Sequence, residues 1–192
     1  MSKICVTHSG SFHADDVCAG VLLKLAGEIT EFSEIIRSRK KEDFERADIL
    51  FDVGREYDPS RGRYDHHQRG KSGEFWDDGT PLSSTGLIWK AYKDKICPES
   101  FIQDKILEEW IIPIDASDNG TLRDVPKNCR TISAVMNDLN PPWFDKEANP
   151  DDYYVKACEI METLFCASMR RARGSLVAYE HLVTAVKKYA GQ

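Results

Sequence analysis

Short apolar runs alternate with helix-spaced apolar positions through the first fifty residues. Lys3 to Thr7 reads as a buried strand, and Val17, Val21, Leu22 and Leu25 then recur at helical spacing. That spacing predicts a helix over residues 15–26, with Gly27 suited to its end. Ser33 to Arg37 reads as a second strand, Glu42 to Ala47 as a short helix, and Asp48 to Val53 as a third strand closed by Gly54. A β-α-β-α-β order implies an α/β fold, with a parallel sheet and helices on both its faces.

Beyond Gly54 the pattern changes. Residues 56–81 are rich in Gly, Pro, Asp and Arg and read as a long loop, a type that tends to be functional inside compact domains. Ser84 then caps a helix to about Lys95, Ser100 caps another to about Ile112, and Asp115 to Gly120 reads as a polar loop. Thr131 to Met136 fits a strand or a helix equally. After Pro141-Pro142 and Pro150, residues 152–189 read as one or two amphipathic helices broken near Gly174, with Ile160, Leu164, Leu176, Leu182, Val183 and Val186 as the buried stripe. The expected division is a body over residues 1–145 with a C-terminal helical segment, 146–192, packed on it.

Composition adds limits. With 192 residues, 41% hydrophobic and 30% charged, the chain can bury a core of its own. It has no apolar run of about 18 residues, and its N-terminus turns polar within a few residues, which predicts a cytoplasmic chain without membrane attachment. Cys5, Cys18, Cys97, Cys129, Cys158 and Cys166 are scattered with no C-x-x-C pair and read as reduced core thiols. A net charge of −6 argues against a broad footprint for duplex DNA. Basic residues do gather locally: Arg170, Arg171 and Arg173 read as a solvated helix face, whereas Arg55, Arg61, Arg63, Arg69 and Lys71 surround a histidine pair.

Candidate chemistry concentrates in four stretches, Thr7 to Asp16, Phe51 to Gly54, Tyr64 to Arg69 and Ile114 to Gly120, which hold four of the five histidines. Three of them lie at or just beyond a predicted strand end, where open α/β sheets bind ligands. Mixed imidazole and carboxylate donors suit Mn, Zn or Fe, and a carboxylate bridging two ions roughly 3.5–4 Å apart suits phosphoryl displacement. Taken singly these residues have ordinary explanations: Asp15 and Asp16 favour a helix N-terminus, Asp52, Asp115 and Asp118 form turns, and His66 and His67 are solvated. Their co-occurrence is what points to a site. His181, isolated in a C-terminal helix, does not.

At Asp65-His66-His67 the chain resembles the DHH phosphoesterase superfamily. Thr7-His8 with Phe12-His13-Ala14-Asp15, Asp52-Val53-Gly54, Arg63 to Arg69, Ser83-Ser84 with Gly86, and Asp115 with Asp118-Asn119-Gly120 together resemble the melanocyte-proliferating-gene family of metal-dependent hydrolases, described as exonucleases acting on RNA. That resemblance spans roughly residues 4–145. It implies a DHH-type catalytic domain in which His8, His13 and Asp52 hold one ion and Asp15, Asp52, His66 and Asp115 hold the other, with Asp118 as the alternative to Asp115. It further implies two Mn2+ ions, with Mg2+ or Zn2+ as substitutes, His67 facing the phosphate or leaving group, and Asp65 orienting the histidines; Arg69 is a catalytic phosphate contact by its guanidinium. Arg55 and Arg63 are further phosphate contacts by charge.

The expected substrate is a phosphorylated small molecule or a short single-stranded nucleic acid. Because members of that family carry a second, C-terminal domain that contacts substrate, the alternative is a metal- or nucleotide-binding module without turnover. The C-terminal helices offer a surface for a homodimer.

Overall fold

The computed structural model describes residues 3–68 and 73–189. Its five-stranded sheet has the order β2-β1-β3-β5-β4, from β1 (Cys5–Thr7), β2 (Ile36–Arg37), β3 (Ile49–Phe51), β4 (Tyr57–Asp58) and β5 (Arg63–Tyr64). β1 pairs in parallel with β2 and β3, β3 pairs in parallel with β5, and β4 closes the edge antiparallel to β5. The fold is therefore α/β with a mostly parallel sheet, as the alternation predicts. Two strands form inside residues 56–81, which read as loop because strands of two residues leave no periodicity. Ser33 and Glu34, the start of the expected second strand, lie instead in a 3-10 turn (Phe32–Glu34) leading into β2.

Both sheet faces are covered, unequally. Val6 and Leu50 face a small cluster with Ala47 and Val53, covered by Phe44 of the short helix α2 (Lys41–Arg46). Cys5, Ile49 and Phe51 point the other way, into the main core under α1 (Ala14–Leu25) and α3 (Ser84–Ile96). Alternation along β1 and β3 thus feeds two cores, as the period of a strand requires.

From Ser100 the chain stays helical for longer than expected. α4 (Ser100–Ile106) runs through one π turn (Leu107–Ile111) into α5 (Ile112–Asp118). Pro113 lies in the first turn of α5, where its ring and missing N–H are accommodated by the wider turn before it. The supposed polar loop is helix as far as Asp118. α6 (Ile132–Asp138) resolves the open segment as helix, capped by Thr131, whose side chain accepts from Ala134 N at 3.1 Å.

α7 (Pro150–Tyr189) is one helix of 40 residues with Gly174 inside it. A single interior glycine costs only about 1 kcal/mol and does not break it. Its buried face is Tyr154, Ala157, Cys158, Met161 and Phe165, not the expected stripe: Ile160, Leu164, Leu182 and Val186 are exposed. Phe165 stacks edge-on against Trp89 and Trp110 at 6.5 and 5.5 Å. Arg171 pairs with Glu109, and Arg173 with Glu99 at 2.8 Å, so on the solvated face that the sequence predicts these arginines also reach the 99–118 segment. None of the six cysteines is paired with another. No helix among the described residues is long and apolar enough to cross a membrane.

Candidate metal centre

Each of the three adjacent parallel strands β1, β3 and β5 ends directly before a candidate ligand: Thr7 before His8, Phe51 before Asp52, and Tyr64 before Asp65-His66. The buried strands thus deliver three donors to one sheet edge. Helix termini bring the rest. His13 precedes α1, Asp15 and Asp16 occupy its first turn, and Asp118 ends α5.

Asp52 sits at the centre. Its Oδ2 lies 3.1 Å from His8 Nε2 and its Oδ1 lies 3.3 Å from His66 Nε2. The residue has φ = 54°, a left-handed conformation that costs a non-glycine residue about 1 kcal/mol. Strain of this kind at a buried polar residue belongs to sites where the side chain must point one way. His66 Nε2 also faces Asp118 Oδ2 at 3.3 Å and Asp15 Oδ2 at 3.9 Å, and His8 Nε2 faces Asp16 Oδ2 at 3.5 Å.

Among the described residues the donor atoms fall into three sets, in each of which all atoms lie within 4.8 Å of one another: His8, Asp16 and Asp52; His13, Asp15 and Asp118; and Asp52, Asp65, His66 and His67, so that the first and third share Asp52. Asp15 Oδ1, Asp16 Oδ2, Asp52 Oδ1 and His66 Nε2 are buried and make no hydrogen bond. Orphaned buried groups of this kind cost about 1–3 kcal/mol each, and cations between them would remove the penalty. The residues therefore fit divalent ions.

Electrostatics agrees. Burial, then the neighbouring carboxylates Asp52 and Asp118, raises Asp15 well above the usual carboxylate range, and burial pushes Asp16 to about 7. Burial likewise raises Asp118, against the attraction of His66. Asp52 goes the other way: although burial opposes it, the neighbouring imidazoles of His66 and His8 hold its carboxyl well below its usual value.

Around this cluster, Asp65 is a bracket. Its Oδ1 accepts from His67 N at 3.0 Å and lies 2.7 Å from His67 Nδ1, and its Oδ2 accepts from Arg55 N at 2.5 Å. With Nδ1 engaged, the half-exposed His67 ring has Nε2 to offer to the adjoining cleft, whose walls include Arg39 and Arg55. The hydrogen bond to Asp65 raises the His67 pKa.

Several expected residues are placed differently. Asp115 is fully buried away from the cluster: Oδ1 accepts from Ser83 N (3.0 Å), Ser83 Oγ (2.6 Å) and Gly86 N (3.0 Å), and Oδ2 from Trp76 Nε1 (2.6 Å). With its lone pairs so occupied, Asp115 stands outside the clustered donors, and Asp118, the alternative in the polar motif, is the one that faces His66. His13 lies within reach of Asp15 and Asp118 and joins the second set, not the first; its ring centroid is 5.9 Å from that of His8. Arg63 is turned away, donating to the carbonyls of Ala47 and Arg61, and Arg61 pairs with Glu56. Arg69 and Lys71 lie outside the described residues. Arg39 and Asp16 were not expected as site residues. Arg39 follows the end of β2 by two positions and donates to Ser9 O at 3.2 Å, so its place after a strand was the available clue.

The family model MYG1_exonuc, described as an uncharacterised protein family (UPF0160), matches residues 3–191. A MYG1 protein of Saccharomyces cerevisiae is 33% identical over 195 residues, covering 88% of this chain and 57% of that protein. The MYG1 exonuclease of Homo sapiens is 33% identical over 183 residues, covering 83% and 48% respectively. A MYG1 protein of Dictyostelium discoideum is 36% identical over 180 residues, covering 84% and 54%. The chain thus spans about half the length of the curated relatives it matches. No solved structure gives a significant match.

Proposed function

The chain belongs to the MYG1 family, and from that premise we propose that it is a DHH-type, metal-dependent phosphoesterase acting on a nucleotide or short single-stranded nucleic acid through two Mn2+ ions. One observation carries the reading: the strained carboxylate of Asp52 lies between two buried imidazoles, His8 and His66, with partnerless buried oxygens of Asp15 and Asp16 beside it. An isolated structural ion pair would leave no such surplus of acceptors.

His8, Asp16 and Asp52 would hold one ion, and Asp15, Asp52, His66 and Asp118 the other, with His13 beside the second. The mixed imidazole and carboxylate set favours Mn2+, with Mg2+ or Zn2+ as substitutes. Ions held there supply Lewis acidity, lowering the pKa of an attacking water and neutralising the phosphoryl oxygens. Arg39 and Arg55 present guanidinium forks that bind the phosphate and orient it toward the strand ends. His67, whose charged form the hydrogen bond with Asp65 favours, gives the proton on its Nε2 to the leaving oxygen, and Asp65 keeps the ring in that orientation.

The test is turnover. Purified protein with Mn2+ should hydrolyse a short RNA, and His66→Ala should abolish this while leaving the fold intact by circular dichroism. Equal turnover by the variant refutes the mechanism. Stoichiometric Mn2+ with no turnover of nucleotides, pyrophosphate or RNA would instead mark a binding module.

A further inference from the structure

Residues 8–13 connect β1 to α1 and carry His8 and His13, which belong to two different donor sets. A connection of this kind is mobile unless its peptide groups find partners. Here the partners are side chains from distant parts of the chain. The Arg39 guanidinium donates to Ser9 O at 3.2 Å, and that of Arg37 donates to Gly10 O. Phe12 is held on both sides by one amide: its N–H donates to Asn140 Oδ1 and its carbonyl accepts from Asn140 Nδ2, each at 2.9 Å. The two residues stand 128 positions apart. An asparagine amide so placed reproduces the pairing that a neighbouring strand would give, at a residue whose ring is fully buried edge-on to Tyr154. His13 follows directly, with its own N–H donating to Asp16 Oδ1 at 2.7 Å. Asn140 itself lies just past the end of α6, where Nδ2 also donates to Asn137 O at 3.2 Å.

We propose that Asn140 is a positioning residue for the metal centre: by holding Phe12 it fixes the segment between β1 and α1, so that the imidazoles of His8 and His13 stand in place before a cation arrives. This rests on the metal-dependent reading above. The entropy of ordering the segment is then lost on folding and not on ion binding, which is how preorganisation raises affinity. Release of Phe12 would leave Arg37 and Arg39 holding the half of the segment nearest His8. The half next to His13 would keep only the bond to Asp16. The ion beside His13 should therefore be weakened first. A bond that merely staples α6 to the body behaves otherwise: its loss lowers stability and leaves the ion affinity of the folded chain as it was.

The experiment compares the wild-type chain with Asn140→Leu, a change close in size that removes the amide. Both are followed by Mn2+ titration with electron paramagnetic resonance and by amide hydrogen exchange in EDTA, on protein shown to be folded by circular dichroism. The variant should bind the ion beside His13 about tenfold more weakly, the low end of the loss expected when a group that orients a ligand is removed. Its titration should then pass through the sharp spectrum of an isolated Mn2+ before reaching that of the coupled pair. In EDTA the Phe12 and His13 amides should exchange about tenfold faster than in the wild type, the size expected for one lost hydrogen bond, while the amides of β1 and α1 keep their rates. Unchanged ion affinities in the folded variant overturn the positioning role and leave the metal centre standing. If the wild type binds no Mn2+, the metal-dependent reading fails, and the exchange rates decide whether Asn140 fixes the segment. Faster exchange confined to Phe12 and His13 supports it, and unchanged exchange overturns it.

Discussion

Oδ2 of Asp118 lies 3.3 Å from Nε2 of His66, while Asp115, one turn earlier on the same helix, turns its carboxylate inward to Ser83, Gly86 and Trp76. One side chain serves the cluster and the other holds α5 to the start of α3. Their variants should separate accordingly. Asp118→Ala should weaken Mn2+ binding on the order of 100-fold with little change in melting temperature. Asp115→Ala should cost about 3 kcal/mol of stability, because buried donors lose their acceptor. Calorimetric Mn2+ titration and urea unfolding of both variants check this, and the opposite pattern would return the ligand role to Asp115.

Gly86 allows that bracket to close. A Cβ there would overlap Asp115 Oδ2 and lie 2.8 Å from Leu82 Cγ. Gly86→Ala, although it raises helix propensity, should destabilise the chain by roughly 1–3 kcal/mol through overpacking. Urea midpoints measure it, and a stabilised variant would mean that Asp115 is not fixed by its four donors.

Metal-free stability should fall as pH rises. Asp16 and Asp115, both pushed by burial to about 7 from 3.8, keep their protons on folding after the unfolded chain has released them. Their cost is absent below about pH 4 and complete above about pH 7. His8 acts in the same direction: burial opposes its charge, but the Asp52 hydrogen bond prevails and raises it from 6.5, so its contribution is lost as pH rises through the folded value. Asp52 and Asp65, held below 3.8, contribute fully above that value and are constant across the window. In EDTA the chain should therefore unfold at lower urea at pH 8 than at pH 5, and Mn2+ should narrow the gap. Equal midpoints in EDTA would contradict this.

Along α7 the burden is uneven. Phe165→Ala should cost about 3–5 kcal/mol, since the ring is fully buried against Trp89 and Trp110. Leu182→Ala, at a side chain 61% exposed, should change stability by less than about 0.5 kcal/mol. Thermal melts distinguish the two, and comparable losses would show that the outer half of α7 is covered in solution.

Much of this arrangement was legible in the chain. The apolar runs of β1 and β3 announce buried parallel strands, and His8 and Asp52 follow them directly, so strand ends and donors were visible together. β5 has only two residues and leaves no pattern, yet the Asp65-His66-His67 motif marks its end. In sequence Asp118 stands only as the alternative to Asp115, within a segment that reads as a polar loop, whereas the chain stays helical through the π turn as far as Asp118. Arg39 lies far in sequence from the histidines and reaches the cleft only because β2 borders β1. The true face of α7 is built from Tyr, Ala, Cys and Met, which score weakly as a hydrophobic stripe beside the more conspicuous Leu and Val positions that end up exposed. Burial there depends on what α1 and α4 present, which no local pattern encodes.

The central claim is a two-ion site organised by Asp52, and an equilibrium Mn2+ titration followed by electron paramagnetic resonance tests it most directly. The wild-type chain should bind two ions with the broadened spectrum of a spin-coupled pair, and Asp52→Ala should lose both, because both proposed ligand sets, one with His8 and Asp16 and the other with Asp15, His66 and Asp118, include that carboxylate. Binding of no Mn2+ by the wild type, or two-ion binding that persists in Asp52→Ala, would contradict the account.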